Sequence, residues 1–75
     1  MNVHKIVGQV ITVRFLDGRE PAVYRYDFTK DRPTEPEYDD YTVSILTDGG
    51  SDAFPLINVE RIERRFIREP ASPKE

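Results

Sequence analysis

Residues 10–18 read VITVRFLDG, an alternating segment that runs directly into an Asp-Gly pair. Ile11, Val13 and Phe15 fall on one face of an extended chain, and the residues between them fall on the other. This period of two, with its β-branched side chains, is typical of a strand. Asp and Gly both tolerate the positive φ values of a tight turn. The segment therefore predicts a first strand over residues 10–15 that turns back as a hairpin.

Three further segments alternate in the same way and predict the second, third and fourth strands, at residues 22–28, 41–47 and 53–57. Pro21 and Pro55 cannot donate a hydrogen bond to a neighbouring strand, so we expect the second and fourth strands at a sheet edge or a bulge. The sequence Asp-Gly-Gly-Ser between the third and fourth strands favours a tight turn. Together the four segments predict a mainly β protein.

The segment at residues 58–68 fits two patterns. Val59, Ile62 and Phe66 have the i, i+3, i+7 spacing of a helix, but Ile62 and Phe66 also alternate around Arg64. Asn58 suits a helix cap, yet the Glu or Gln of a capping box is replaced by Arg three residues later. We favour one helical turn at residues 58–60 followed by a fifth strand. The alternative is a four-stranded sheet with a C-terminal helix.

Length and composition restrict the class of protein. The chain has 75 residues, of which 37% are hydrophobic, and this is enough for one small core. We predict one domain over residues 1–68 and a flexible C-terminal tail over residues 69–75.

A net charge of -3 does not favour non-specific nucleic-acid binding, and the absence of cysteine excludes disulfides and thiolate zinc sites. Without a long apolar segment we expect a cytoplasmic protein with no membrane partner.

The predicted order of elements resembles the small SH3-like and Sm-like barrels, which have five strands and a one-turn helix before the last. The resemblance is carried by Ile6-Val7-Gly8, by Asp17-Gly18-Arg19, and by Leu56-Ile57-Asn58-Val59 with Ile62. It implies a sheet that bends and closes on itself. The layout is also similar to that of the Rho-binding antiterminator, which is another small acidic barrel.

The RNA site of Sm proteins does not carry over to this chain. Sm proteins that bind RNA have an Asp and an Asn in one loop and an Arg-Gly pair near the end of the chain. Asp27 stands near the expected Asp, but no Asn follows in residues 28–31 and no Gly stands in residues 67–69. The resemblance therefore implies the barrel without its RNA-binding residues.

Few residues suit catalysis. The chain has a single His, His4, and lacks Cys and a Gly-rich phosphate loop. Asp39 and Asp40 are adjacent carboxylates, but they stand in a predicted loop, where neither would be desolvated enough to act as an acid or base. We expect a protein that is not an enzyme and uses no cofactor or metal.

The predicted loop at residues 29–40 holds five acidic and two basic residues, and its charge of -3 equals that of the whole chain. Aromatic residues among charges are typical of interface anchors. The preferred function is therefore a non-catalytic binding module, a protein-interaction or regulatory accessory whose partner is a protein with a basic surface. The residues assigned to that surface are Asp31, Glu35, Glu37, Tyr38, Asp39 and Asp40. The alternative reading of this loop is a solvated tether.

The alternative function is Sm-like RNA or nucleic-acid binding. It would use aromatic rings for stacking and arginines for phosphates, and the residues concerned are Tyr24, Tyr26, Arg61, Arg64, Arg65 and Arg68. On a helix the four arginines form one stripe, whereas on a strand they divide between two faces. Packing of the tyrosines in the core and ion pairs to Glu60 and Glu63 are the competing interpretations.

The C-terminal segment is also more apolar than one short terminal strand requires. We expect these side chains to be covered by a second copy of the chain in a symmetric dimer or ring. The predicted oligomer interface consists of Val59, Ile62, Phe66 and Ile67.

Overall fold

The computed structural model describes residues 5–69 and confirms a mainly β protein. Within these residues there are six strands and one 3₁₀ turn. The strands are β1 (Lys5–Phe15), β2 (Ala22–Asp27), β3 (Glu37–Tyr38), β4 (Thr42–Thr47), β5 (Gly50–Pro55) and β6 (Val59–Glu69), and the 3₁₀ turn is Leu56–Asn58. Residues 1–4 and 70–75 lie outside the described part, and with them His4 and all of the predicted tail except Glu69, which ends β6.

The strands form two antiparallel sheets of three strands each. The first sheet has the order β2-β1-β6 and the second has the order β3-β4-β5. The two sheets do not close into a barrel, which corrects the predicted five-stranded barrel. Residues 28–36, with Pro33 and Pro36, separate β2 from β3, and this break interrupts the long bent strand that would carry hydrogen bonds from one sheet to the other.

The predicted C-terminal helix beside a four-stranded sheet is also wrong, because residues 59–69 are a strand. β6 pairs with β1 from Lys5 opposite Glu69 to Phe15 opposite Val59, with an irregularity near each end. The one-turn helix lies two residues earlier than predicted, at Leu56–Asn58. β3 falls inside the predicted loop, where two residues pair with Val43 and Ser44 of β4.

The predicted strands at residues 10–15, 22–28, 41–47 and 53–57 correspond to β1, β2, β4 and β5. β1 begins five residues earlier than predicted, and β5 begins three residues earlier and ends two residues earlier, because residues 56 and 57 belong to the 3₁₀ turn. Both strands with a nearby proline lie at a sheet edge, as expected. Residues 16–21 connect β1 to β2, as the bounds of the two predicted strands imply. A turn forms at the start of this connection, where the Gly18 N–H donates to the Phe15 carbonyl at 3.2 Å and Gly18 has φ of 81°.

The core lies between the two sheets. Its buried apolar side chains come from the central strands β1 and β4 and from β2, and they are Ile11, Val13, Phe15, Tyr26, Val43 and Ile45. The rings of Phe15 and Phe54 meet edge to face across the sheets with centroids 5.3 Å apart. Gln9 is fully buried on the same face of β1 as the core residues. No helix in residues 5–69 has the length and apolar character needed to span a membrane.

Candidate functional site

The buried Gln9 fixes the middle of the acidic loop, residues 29–40, to β1. Its side-chain Nε2 donates to the Thr34 carbonyl at 2.8 Å, and its Oε1 accepts from the Thr34 N–H at 3.0 Å. The amide thus pairs with the loop backbone as a neighbouring strand would, and both of its polar ends are satisfied in the interior. The loop is therefore anchored at its centre as well as at its two ends.

The start of the acidic loop is closed by two carboxylates. Asp27 accepts hydrogen bonds from the Thr29 N–H and hydroxyl at 3.0 and 2.9 Å. These bonds hold the pKa of Asp27 below its ordinary value. Asp31 is half-buried and accepts from the Asp27 N–H at 3.0 Å. Of the residues assigned to protein binding, Asp31 thus serves the turn itself.

The end of the acidic loop is closed in the same manner by Asp39. Its Oδ1 accepts from the backbone N–H groups of Tyr41 and Thr42, both at 2.8 Å, and its Oδ2 accepts from the Thr42 hydroxyl at 2.8 Å. The bond from the Tyr41 N–H contributes most to lowering the pKa of Asp39. This carboxylate sets the corner between β3 and β4, so Asp39 also has a structural role.

The remaining acidic and aromatic side chains of this region point outward. We define them as the acidic patch, which consists of Glu35, Glu37, Tyr38, Asp40 and Tyr41. Tyr38 is 62% exposed and Tyr41 is 80% exposed. Within residues 5–69 the three carboxylates of the patch make no hydrogen bond or ion pair. The structure thus combines exposed charge, exposed rings and an anchored backbone within residues 35–41, with Glu37 and Tyr38 on opposite faces of β3.

The arginines of the C-terminal segment divide between two faces of β6. Arg61, Glu63 and Arg65 alternate on one face, and Glu63 bonds to Arg14 at 3.0 Å and to Arg61 at 2.8 Å. The bond from Arg14 contributes most to lowering the pKa of Glu63. Arg64 lies on the opposite face with its guanidinium 5.0 Å from the ring centroid of Phe66. The four arginines would form one continuous basic stripe only on a helix, and β6 is a strand.

The two tyrosines considered for base stacking connect the sheets. Tyr26 is buried and its hydroxyl donates to the Leu46 carbonyl at 2.6 Å. The Tyr24 hydroxyl donates to Asp52 at 2.9 Å. Desolvation, followed by the bond to Asp52, raises the pKa of Tyr24 to about 12. The ring of Tyr26 is therefore enclosed in the core, whereas that of Tyr24 is half-buried.

Three comparisons bear on relationships to known proteins. No family model, no curated protein and no solved structure matches this chain. The geometry of the acidic patch is thus what points to a function.

Sequence reasoning missed Gln9 and Thr34. The position of Gln9 could have revealed its role. It lies on the same face of β1 as Ile11 and Val13, and a polar residue that points inward needs a hydrogen-bond partner.

Sequence reasoning also missed a groove of about 620 Å³ between β2 and the end of β4, whose walls include Val23, Arg25 and Leu46. The alternation of residues within single strands does not predict that β2 and the end of β4 lie beside each other.

The described residues provide no metal centre. Within residues 5–69 no three acidic or histidine side chains lie close enough together to hold an ion. Of the predicted oligomer interface, Val59 and Ile62 pack partly against the core, Phe66 is exposed and Ile67 is half-buried.

Proposed function

We propose that this protein is a non-catalytic binding module, a protein-interaction or regulatory accessory, whose acidic patch docks a basic surface of a partner protein. The pairing of Gln9 with Thr34 carries the proposal. An anchored loop holds its charged side chains close to the bound arrangement before a partner arrives, so less conformational freedom is lost on binding. A solvated tether would have no need of a fully buried amide to hold it.

The composition of the acidic patch specifies the partner. Three carboxylates favour lysine and arginine side chains and accelerate association with a positively charged protein. Tyr38 and Tyr41 add large exposed rings, which supply contact area at a low entropic cost and stack with arginine. A basic protein surface, rather than a small molecule, fits this arrangement.

The strand arrangement also supports a more specific relationship, to the SH3-like and Sm-like barrels. β1 lies between β2 and the last strand, and the 3₁₀ turn directly precedes that last strand. In this proposal β2 and β3 are two halves of one barrel strand, and residues 28–36 are an insertion between them. The acidic loop would then be an addition to the basic barrel.

A charge-neutral variant tests the proposed docking site. In the triple variant Glu35→Gln, Glu37→Gln and Asp40→Asn, we expect at least tenfold weaker capture of basic proteins from a nuclease-treated lysate of the source cells. The three changes spare Asp31 and Asp39, so the turns of the loop stay closed. Tyr38→Ser should weaken the capture without changing the charge, because it removes an anchor.

The matched control makes the same change in charge elsewhere. Glu20→Gln, Asp48→Asn and Glu69→Gln also remove three negative charges, from exposed positions outside the acidic patch. We expect this control to capture the same proteins as the unmodified chain. Equal losses in both triple variants would contradict a specific site. If the unmodified protein captured partners from an untreated lysate but not from a nuclease-treated one, the nucleic-acid alternative would be favoured instead.

A further inference from the structure

β6 is an eleven-residue strand with an open edge, since β1 is the only strand that pairs with it among residues 5–69. The backbone groups at this edge can be identified from the register. The Phe28 N–H donates to the Val7 carbonyl at 3.0 Å, so the odd residues of β1 bond to β2 and the even ones to β6. By the same alternation Ile62, Arg64 and Phe66 direct their N–H and carbonyl groups away from β1.

The side chains at this edge are both apolar and charged. Ile62, Arg64 and Phe66 share the face that continues the core, and Phe66 is 40% exposed there. The opposite face carries Arg61, Glu63 and Arg65. Charges on an edge strand discourage pairing with an unrelated strand. They permit pairing with a strand whose charges are complementary.

Three positions of β6 are complementary to their counterparts when the strand is reversed. We propose that two copies of the chain pair β6 against β6, antiparallel, with Arg64 on the two-fold axis. Ile62 then stands opposite the partner's Phe66, and Glu63 stands opposite the partner's Arg65. Glu60 stands opposite the partner's Arg68. Each pair occurs twice by symmetry, and the two first sheets become one six-stranded sheet.

The axis at Arg64 also sets Arg61 against the partner's Ile67 and Val59 against the partner's Glu69. Other registers nevertheless satisfy the side chains less well. A two-fold axis at Glu63 places two Glu63 side chains together and sets Arg61 against the partner's Arg65. An axis at Arg65 sets Ile62 against the partner's Arg68. An axis at Ile62 keeps some charge pairs but leaves residues 66–69 without partners in β6. Only the axis at Arg64 pairs all eleven residues of β6.

The two Arg64 side chains on the axis oppose this pairing, because like charges directly across a sheet are destabilising. Within each chain the Arg64 guanidinium lies over the Phe66 ring, which turns it along its own strand. Removal of this charge, in Arg64→Thr, should therefore strengthen the dimer severalfold. A variant that improves association is informative because unfolding does not mimic it.

Cysteine cross-linking tests the register directly, since the natural chain has no cysteine. Single cysteines are placed at positions 62, 63, 64, 65 and 66 in turn, and disulfide-linked dimer is measured under mild oxidation. Two residues facing each other on the axis have Cα atoms about 5.5 Å apart, within disulfide range. Positions 63 and 65 become diagonal neighbours about 7–8 Å from their symmetry mates. We expect Arg64→Cys to link at least tenfold faster than the other four.

A charge exchange tests the contacts in solution by sedimentation equilibrium. Glu60→Arg and Arg68→Glu should each weaken the dimer by about tenfold, because each replaces two opposite-charge pairs with like-charge pairs. The combined variant should restore the unmodified affinity. Both positions are exposed in the single chain, so its folding is preserved.

Three results would overturn the proposal. They are a monomer at all accessible concentrations of the unmodified chain, cross-linking that does not peak at position 64, and failure of the combined charge exchange to restore association. Loss of the dimer would leave the acidic patch intact, so this proposal and the proposed function fail separately.

Discussion

Gln9 occupies an inward position of β1, where the same face continues with Ile11 and Val13. A leucine at this position would fill the space without bonding the loop. Gln9→Leu leaves the Thr34 N–H and carbonyl without their partner, and we expect the free energy of unfolding to fall by about 1–3 kcal/mol. Urea unfolding measures the loss, and hydrogen exchange at the Thr34 amide should accelerate.

Thr12→Val is the control for this prediction, since it changes a polar side chain on the other face of the same strand. It should alter the free energy of unfolding by less than about 0.5 kcal/mol. If Gln9→Leu were as stable as the unmodified chain, Gln9 would not be the anchor of the loop.

At the scale of single residues, sequence reasoning located the acidic and aromatic side chains but not their roles. Asp31 and Asp39 look like Glu35 and Asp40 in a charge count, yet only the first two accept backbone N–H groups. The difference depends on where the chain turns. An Asx-type bond forms only once the neighbouring strands fix the corner, so composition alone assigns all of the carboxylates to the surface.

Among the elements, the pairing of β1 with β2 depends on Gly8. A Cβ added at Gly8 would lie 2.5 Å from the Tyr26 carbonyl oxygen, closer than nonbonded atoms approach. Gly8→Ala therefore forces the two backbones apart, and we expect it to lower the free energy of unfolding by about 1–3 kcal/mol. Thermal or urea unfolding measures the change.

Gly49→Ala provides the matched comparison, because a Cβ there meets nothing within 4 Å. Its effect should be neutral or stabilising by up to about 1 kcal/mol, through lower entropy of the unfolded chain. Equal stability of the two alanine variants would show that β1 and β2 can separate at Gly8 without cost.

The elements that sequence reasoning predicted well are those whose pattern is local. β1, β2 and β4 alternate clearly, so period two was sufficient. β6 carries both helical and strand spacings, and the open edge of β1 decides between them, which is a tertiary effect. β3 contains only two residues, Glu37 and Tyr38. Its pairing exists because β4 lies beside it, and no local pattern marks it.

At the scale of the whole molecule, the alternation of apolar and polar residues could not predict the number of sheets. Whether strands close into a barrel depends on how one strand continues from sheet to sheet. Here the chain leaves the first sheet at the end of β2 and returns to pair only at Glu37. With no strand shared between them, the two sheets must be held together by side chains.

Tyr26 makes the most buried polar link between the two sheets, since its hydroxyl donates to the Leu46 carbonyl of β4 at 2.6 Å. Tyr26→Phe keeps the ring in the core but removes this bond. We expect the free energy of unfolding to fall by about 0.5–1.5 kcal/mol. Tyr24→Phe should cost less, because its bond to Asp52 is exposed to water.

Tyr41→Phe is the control for the hydroxyl itself, as Tyr41 is 80% exposed. Its unfolding free energy should match that of the unmodified chain. Urea unfolding of all three phenylalanine variants ranks the links between the sheets, and the double variant at positions 24 and 26 reports whether the two bonds act independently. If Tyr26→Phe and Tyr41→Phe were equally stable, the hydroxyl of Tyr26 would contribute nothing to the association of the two sheets.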